Sequence, residues 1–370
     1  MRIVDTGIVF EGAADTRTAI ACFPSVAVLS DGTAVATFSV GTRKHTPDTR
    51  VFLCRSEDGG RTWGEPVDPF PGPYEGMPGT AHVAHLTEVA PGRVMACMLW
   101  VDHSDLSLPF FNPETEGLLP VRTLLATSED GARAWSDLWE APQVFDGPAS
   151  LTGPIAVLAD GALAVQVEIN KPYDDPSPWR QRSAWQYSTD GGRTWPEHRI
   201  VVNDPTLRFY YWDHRSCVLR DGQVLSMFWT YDSQASEDLA IHRSLSVDGR
   251  SWPTPEDADV VGQVIYPAEL PDGRILSTYV DRYATRTVRA CLSDDRGKSW
   301  NAADELVLYR KEQLPGGVGD SDETKEYLQE MNLWSFGLPC ACTLPDGTGL
   351  VLYYAGSEEE TGIYWAKIEV

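Results

Sequence analysis

Ser56-Glu57-Asp58-Gly59-Gly60-Arg61-Thr62-Trp63 is the stretch on which the fold turns, because the chain repeats it. It returns as Ser128-Glu129-Asp130-Gly131-Ala132-Arg133-Ala134-Trp135 and as Ser188-Thr189-Asp190-Gly191-Gly192-Arg193-Thr194-Trp195. A shortened copy is Ser246-Val247-Asp248-Gly249-Arg250-Ser251-Trp252, and a fifth is Ser293-Asp294-Asp295-Arg296-Gly297-Lys298-Ser299-Trp300. In each copy the aspartate can accept backbone N–H groups of its own turn, and the tryptophan supplies a large apolar anchor. A second repeat alternates with the first. Leu-x-Asp-Gly between apolar runs occurs at 29–32, 158–161, 219–222, 270–273 and 344–347, with a degenerate sixth copy at Pro91-Gly92. Asp-Gly between β-forming runs signals a hairpin, since the turn needs a positive φ that glycine adopts without strain. The turn glycines recur about 50 to 75 residues apart, a spacing that suits a four-stranded blade with variable loops. Six hairpins imply an all-β fold, a six-bladed β-propeller.

The rest of the chain is consistent with one domain spanning 1–370. Its 370 residues are 42% hydrophobic and 23% charged, the balance of a globular protein. The strands at 3–10 and 363–370 are expected to pair within one blade and close the ring. Insertions at about 102–119 and 311–331 exceed ordinary hairpin loops. The second carries a helix expected over 323–331 and is a candidate homo-oligomer contact. Lys plus Arg number 30 against 54 Asp plus Glu, a net charge of −24. That field argues against a nucleic-acid or membrane partner, both of which need clustered cations. No apolar run approaches a bilayer span and no secretory signal is visible. The seven cysteines include no CxxC pair and read as free thiols, so the expected location is cytoplasmic.

The octapeptide pattern Ser-x-Asp-x-Gly-x-Ser/Thr-Trp resembles the Asp-box, or BNR repeat, of the sialidase-like proteins. The resemblance covers almost the whole chain and implies a six-bladed propeller whose Asp-boxes are structural and lie away from the active face. The family's catalytic residues transfer only in part. Its first carboxylate-binding arginine precedes an Ile-Pro, and here Cys22 of Ala21-Cys22-Phe23-Pro24 takes that place. The family's fourth-blade carboxylate and second arginine fall near His214 and Trp229. Its tyrosine nucleophile falls near Leu338, with Phe336 the closest aromatic. Arg43 and Asp48 keep the spacing of the first-blade acid/base loop. The resemblance thus implies a sialidase-like glycosidase that is not a typical sialidase. Related exo-arabinanases, which use two carboxylates, show that the fold does not require sialic acid.

Candidate chemistry therefore sits on the face opposite the two kinds of turn. Asp48 is the expected acid/base, with Asp213, Asp232 or Glu168 as its carboxylate partner, and His214 beside Asp213 as a tuning imidazole. Arg43, His45, Tyr210, Tyr211, Arg215, Trp229, Tyr231, Asp281, Arg282 and Trp334 form the expected carbohydrate-binding set, flat rings for sugar faces and charged groups for hydroxyls. Two other functions fit the same residues. A polysaccharide lyase acting on a uronate would use His214, Tyr210, Tyr211 and Arg215, and a non-catalytic propeller would only bind sugar. No cofactor and no metal is called for. His82 and His85 are three apart, which on an extended strand points them to opposite faces and favours packing over ligation. The leading expectation is an exo-acting glycosidase on a small oligosaccharide.

Overall fold

The computed structural model describes residues 1–311, 331 and 333–370. Their regular structure is almost entirely β, strands and one short 3-10 turn at Ala302–Asp304. The helix expected over 323–331, and nearly all of the insertion expected to make an oligomer contact, lie outside the described residues. Four blade-sized sheets of four or five strands follow one another along the chain. Their long strands are Gly79–Ala90, Arg93–Asp102 and Val121–Ser128; Leu163–Ile169, Arg182–Ser188 and Glu197–Asn203; Phe209–Val218, Val224–Asp232 and Ala240–Ser246; and Gln263–Glu269, Ile275–Asp281 and Thr287–Ser293. The remaining sheet has seven strands.

This corrects the expectation of six separate blades. The strands nearest the two ends of the chain do not separate into two sheets. Ile20–Val28 meets Thr361–Glu369 in a parallel contact at Ile20 and Thr361, so Phe336–Thr343, Gly349–Gly356, Thr361–Glu369, Ile20–Val28, Ala34–Gly41 and Arg50–Ser56 form one continuous sheet. Thr361 holds the junction twice, its N–H donating to Ala19 O at 3.0 Å and its Oγ1 to Ala21 O at 2.7 Å. Gly12 lets the strands approach: a Cβ there would come within 2.3 Å of Thr361 O and 2.4 Å of Ala19 O. Arg2–Phe10 runs antiparallel along the outer side of Thr361–Glu369.

The sheets pack face to face in a ring, and the core lies between them. Leu53 and Val35 meet Leu86 and Met98, and Cys97 and Leu99 meet Val165 and Val167. Ala164 and Trp185 meet Val224 and Phe228, Met227 and Trp229 meet Ile265 and Tyr279, and Leu276 meets Val351. The middle strands, such as Ala34–Gly41, Val224–Asp232 and Ile275–Asp281, thus alternate their side chains between two neighbouring sheets and bury both faces, while outer strands such as Arg2–Phe10 and Glu197–Asn203 stay largely exposed. This is a propeller arrangement.

Both repeated turns take the form their residues demand. At the Leu-x-Asp-Gly turns, Gly32, Gly161, Gly222, Gly273 and Gly347 have φ between 83° and 88°. At the Ser-x-Asp turns the serine and aspartate share the work. Ser188 Oγ donates to Asp190 Oδ1 at 2.8 Å and accepts Gly192 N–H at 2.9 Å, while Asp190 Oδ1 accepts Arg193 N–H and Thr194 N–H at 3.0 and 2.9 Å. The same set recurs around Asp58, Asp130, Asp248 and Asp295. The two kinds of turn meet on one rim, where Arg250 and Arg296 of the Ser-x-Asp turns pair with Asp160 and Asp221 of the Leu-x-Asp-Gly turns at 2.8 and 2.7 Å. Ser188 is 1% exposed, so Ser188→Ala strands a buried Gly192 N–H. The expected cost is about 1–3 kcal/mol, read as a lower urea midpoint with an unchanged m value.

Candidate active site

A cavity of about 950 Å³, part of it open to solvent, lies where the strands converge. Its walls come from all five sheets, and the first strand of the hairpin is irregular in most of them. Pairing slips between Cys22 and Ser25, Ala81 and Val83, Trp212 and Arg215, Gln263 and Ile265, and Gly337 and Cys340. At four of these slips one residue takes a positive φ: Phe23 at 53°, Asp213 at 47°, Val264 at 40° and Leu338 at 40°. Phe23, Asp213 and Leu338 all line the cavity. A β-bulge re-aims a side chain, and non-glycine residues held in the left-handed region concentrate at functional sites.

Among the described residues, Glu168 and Asp213 are the two carboxyl groups that line the cavity. The Asp213 N–H donates to Glu168 Oε2 at 3.0 Å, and Arg215 Nη2 pairs with Asp213 Oδ1 at 2.8 Å. Glu168 is buried, and burial pushes its carboxyl up to about 8; the Asp213 N–H opposes that rise and the Asp213 charge adds to it. At neutral pH Glu168 therefore holds its proton, beside an Asp213 that pairs with Arg215. Asn170 is fixed by Ser150 Oγ at 2.9 Å.

Several buried nitrogens on residues that line the cavity have no protein partner among the described residues. Arg215 Nη1, Arg282 Nε and Nη1 and both ring nitrogens of His85 are buried and unsatisfied. Arg282 lies flat over Trp334, 3.9 Å from its ring centroid. Gly337 makes room for it, since a Cβ there would stand 2.6 Å from Arg282 Nη2. Native proteins seldom leave buried polar groups unpaired, so these donors point to a polar ligand. Lys44, by contrast, is engaged, bonding to Trp334 O, to Met331 O at 3.2 Å and to Tyr354 Oη at 3.0 Å.

Of the candidates read from the sequence, the cavity brings together Glu168, Asp213, His45, Arg215, Arg282 and Trp334. Asp48 is not among its lining residues. Its carboxylate accepts Thr42 N–H at 3.1 Å and Thr42 Oγ1 at 3.0 Å, holding its own loop closed, and Arg43 and His45 share that loop. Asp232 is locked by Arg208 Nε at 2.8 Å and by the N–H groups of Gln234 and Ala235. His214 is fully buried. It accepts Trp185 Nε1–H on Nε2 at 3.1 Å, so its proton is on Nδ1, which lies 3.2 Å from Thr152 Oγ1. Tyr231 stacks on Trp212 and Tyr210 packs tilted against it, Tyr211 packs edge-on to Phe228, and Trp229 donates to Asp238 Oδ1 at 2.7 Å. Asp281 caps Ala284 N–H and Thr285 N–H. The lyase set of His214, Tyr210, Tyr211 and Arg215 is thus not assembled in one place.

Sequence reasoning did not select Phe23, Lys44, His85, Phe110 or Tyr354, which also line the cavity. Phe110 comes from the 102–119 insertion and lies parallel to the His45 ring at 4.2 Å. Because Asp48 serves its loop and not the cavity, Asp48→Asn is expected to change kcat/KM by less than about tenfold, the scale of one neutral hydrogen bond; a loss of a thousandfold would return Asp48 to the chemistry.

No known protein family matches the chain by sequence, and no curated protein matches it. Solved structures do. A protein of unknown function from Dyadobacter fermentans is similar at a TM-score of 0.76 and 20% identity, over 100% of this chain and 99% of that one. The intramolecular trans-sialidase of Ruminococcus gnavus, solved with oseltamivir carboxylate, is similar at 0.68 and 13%, over 100% and 98%. The α-L-arabinanase of Penicillium chrysogenum, solved with arabinobiose, is similar at 0.66 and 14%, over 100% and 99%. At these identities the likeness is one of fold, a propeller shared with glycosidases.

Proposed function

We propose that the chain is a glycoside hydrolase, exo-acting on a small oligosaccharide, with Glu168 as general acid and Asp213 as the opposing carboxylate. The observation that carries this reading is the Glu168–Asp213 contact, where burial keeps the Glu168 carboxyl protonated and Arg215 pairs with Asp213. Two carboxyl groups in different protonation states are what glycoside hydrolysis asks for: one donates a proton to the leaving glycosidic oxygen, the other attacks the sugar or activates water. Arg215 and Arg282 bring two guanidinium groups to the cavity wall for acceptor oxygens of the sugar, and Phe23, Phe110 and Trp334 provide flat apolar surface. The fold shared with the arabinanase and the trans-sialidase supports the class of reaction. Cys22 is buried where the sialidase resemblance expects an arginine, and Leu338 occupies the region of its tyrosine nucleophile, so the proposed substrate is not a typical sialoside. The test is release of nitrophenol from a panel of aryl glycosides, pentofuranosides and uronides included. Turnover by the wild type that disappears in Glu168→Gln is the expected result; turnover that survives in Glu168→Gln removes the assignment, and inactivity of the wild type on every member removes the hydrolase reading.

A further inference from the structure

Three histidines form a line that ends at the cavity wall. His103 Nε2 lies 2.9 Å from His82 Nε2, and His82 Nδ1 lies 3.4 Å from His45 Nδ1. His82 and His103 are 1% and 4% exposed, and His45 lines the cavity with its ring held flat against Phe110, the two planes 1° apart. Burial pushes His45 down to about 3 and holds His82 and His103 below their ordinary 6.5, so above pH 6.5 all three rings are neutral. A neutral imidazole carries one proton, and each contact in the line needs one N–H facing one bare nitrogen.

Only two arrangements satisfy both contacts. In the first, His103 donates from Nε2, His82 donates from Nδ1, and His45 has a bare Nδ1 and its proton on Nε2. In the second every proton is reversed, and His103 must carry a proton on Nδ1. That nitrogen is buried and has no hydrogen-bond partner. An orphaned buried N–H is the rarer and costlier vacancy. The first arrangement places no donor there.

We propose that His103 and His82 are positioning residues that fix the tautomer of His45, leaving it with Nε2–H as a neutral hydrogen-bond donor to an oxygen of the bound sugar. The sugar as recipient rests on the glycosidase reading; the tautomer does not. His45 Nε2 has no partner among the described residues and is not among the sealed nitrogens, so it is open to a ligand. Because the line stays neutral, this donor keeps its proton across the range in which Glu168 titrates, and the two groups answer to pH independently.

The experiment is a long-range 15N–1H correlation spectrum of the full chain labelled with 15N-histidine, which distinguishes Nδ1–H from Nε2–H rings. Peaks are assigned by their loss in His45→Gln, His82→Gln and His103→Gln. The expected wild-type pattern is Nε2–H at His45, Nδ1–H at His82 and Nε2–H at His103. His103→Leu removes the first donor and is expected to turn His45 into a mixture of tautomers, whereas His103→Gln, which can still donate from its amide, keeps His45 as Nε2–H. A wild-type His45 protonated on Nδ1, or a His45 signal indifferent to His103→Leu in a folded protein, overturns the proposal. If His103→Leu does not fold, the wild-type pattern alone decides. A protein that shows the pattern yet hydrolyses no glycoside keeps the relay and loses the glycosidase reading.

Discussion

Glu168→Gln is expected to lower kcat/KM on any hydrolysed glycoside by about 10²–10⁴-fold, the usual contribution of a positioned general acid. The amide matches the carboxyl in shape, so the Asp213 N–H keeps an acceptor at Oε1 and the fold is retained. The pH dependence separates this role from a merely structural one. Burial raises the Glu168 carboxyl from its ordinary value of 4.5 to about 8, so the wild-type rate should fall as pH rises through about 8, when the acid loses its proton. The sign for stability follows from the same shift. Between pH 4.5 and about 8 the folded chain holds a proton that the unfolded chain has released, so raising the pH across that window destabilises the fold. Glu168→Gln removes this contribution. Its urea midpoint should fall less than the wild type's between pH 5 and pH 8, a comparison that needs no substrate. A wild-type rate flat through pH 9 would remove Glu168 as the acid.

Trp185→Ala is expected to destabilise the fold by about 3–5 kcal/mol, the range for deleting a buried aromatic side chain. Trp185 is fully buried between two sheets, edge-on to Trp252 with ring centroids 5.0 Å apart. Its Nε1–H is the partner of His214 Nε2, so the alanine also leaves a buried ring nitrogen unpaired. Trp185→Phe keeps most of the volume and should lose only about 1–2 kcal/mol, chiefly the hydrogen bond. Chemical denaturation of the three proteins checks the ranking. Activity offers a second reading, because His214 adjoins Asp213: a loosened His214 lets the Asp213 bulge shift, so the surviving folded fraction of Trp185→Ala should have a reduced kcat. His214 is thus read as a structural anchor and not as a titrating partner of Asp213.

Much of the scaffold was legible because its turns are made by local chemistry. Ser-x-Asp and Leu-x-Asp-Gly need nothing beyond their own residues to bend the chain, and all five copies of each do so. The number of sheets was not legible, because the junction at Ile20 and Thr361 joins residues more than three hundred positions apart through backbone atoms that carry no sequence signature. The site was legible in part. Glu168, Asp213, Arg215 and Arg282 were reachable as polar residues on strands of the right face. Asp48 misled, because motif spacing says where a loop is and not which way its carboxylate turns; Thr42 captures it. His214 misled as well. The bulge turns the Asp213 carboxylate to Arg215, while the His214 ring is held by Trp185 and Thr152. His85 was set aside as packing, yet only the three-dimensional surroundings reveal that both its nitrogens lack partners.

The left-handed residues of the inner strands carry a consequence for how such a protein responds to selection. Asp213 tolerates its conformation comparatively well, but Phe23, Val264 and Leu338 are bulky or β-branched and bear it at a cost of about 1 kcal/mol or more each. Glycine or asparagine at 264 would relieve that strain but empty a fully buried site, a loss that exceeds the gain, and at 23 and 338 it would strip an apolar contact from the cavity lining. Packing thus holds these few inner angles in place, and heat resistance is better sought at the rim, where Ala132 and Arg296 hold φ of 66° and 62° at turn positions that other copies give to glycine.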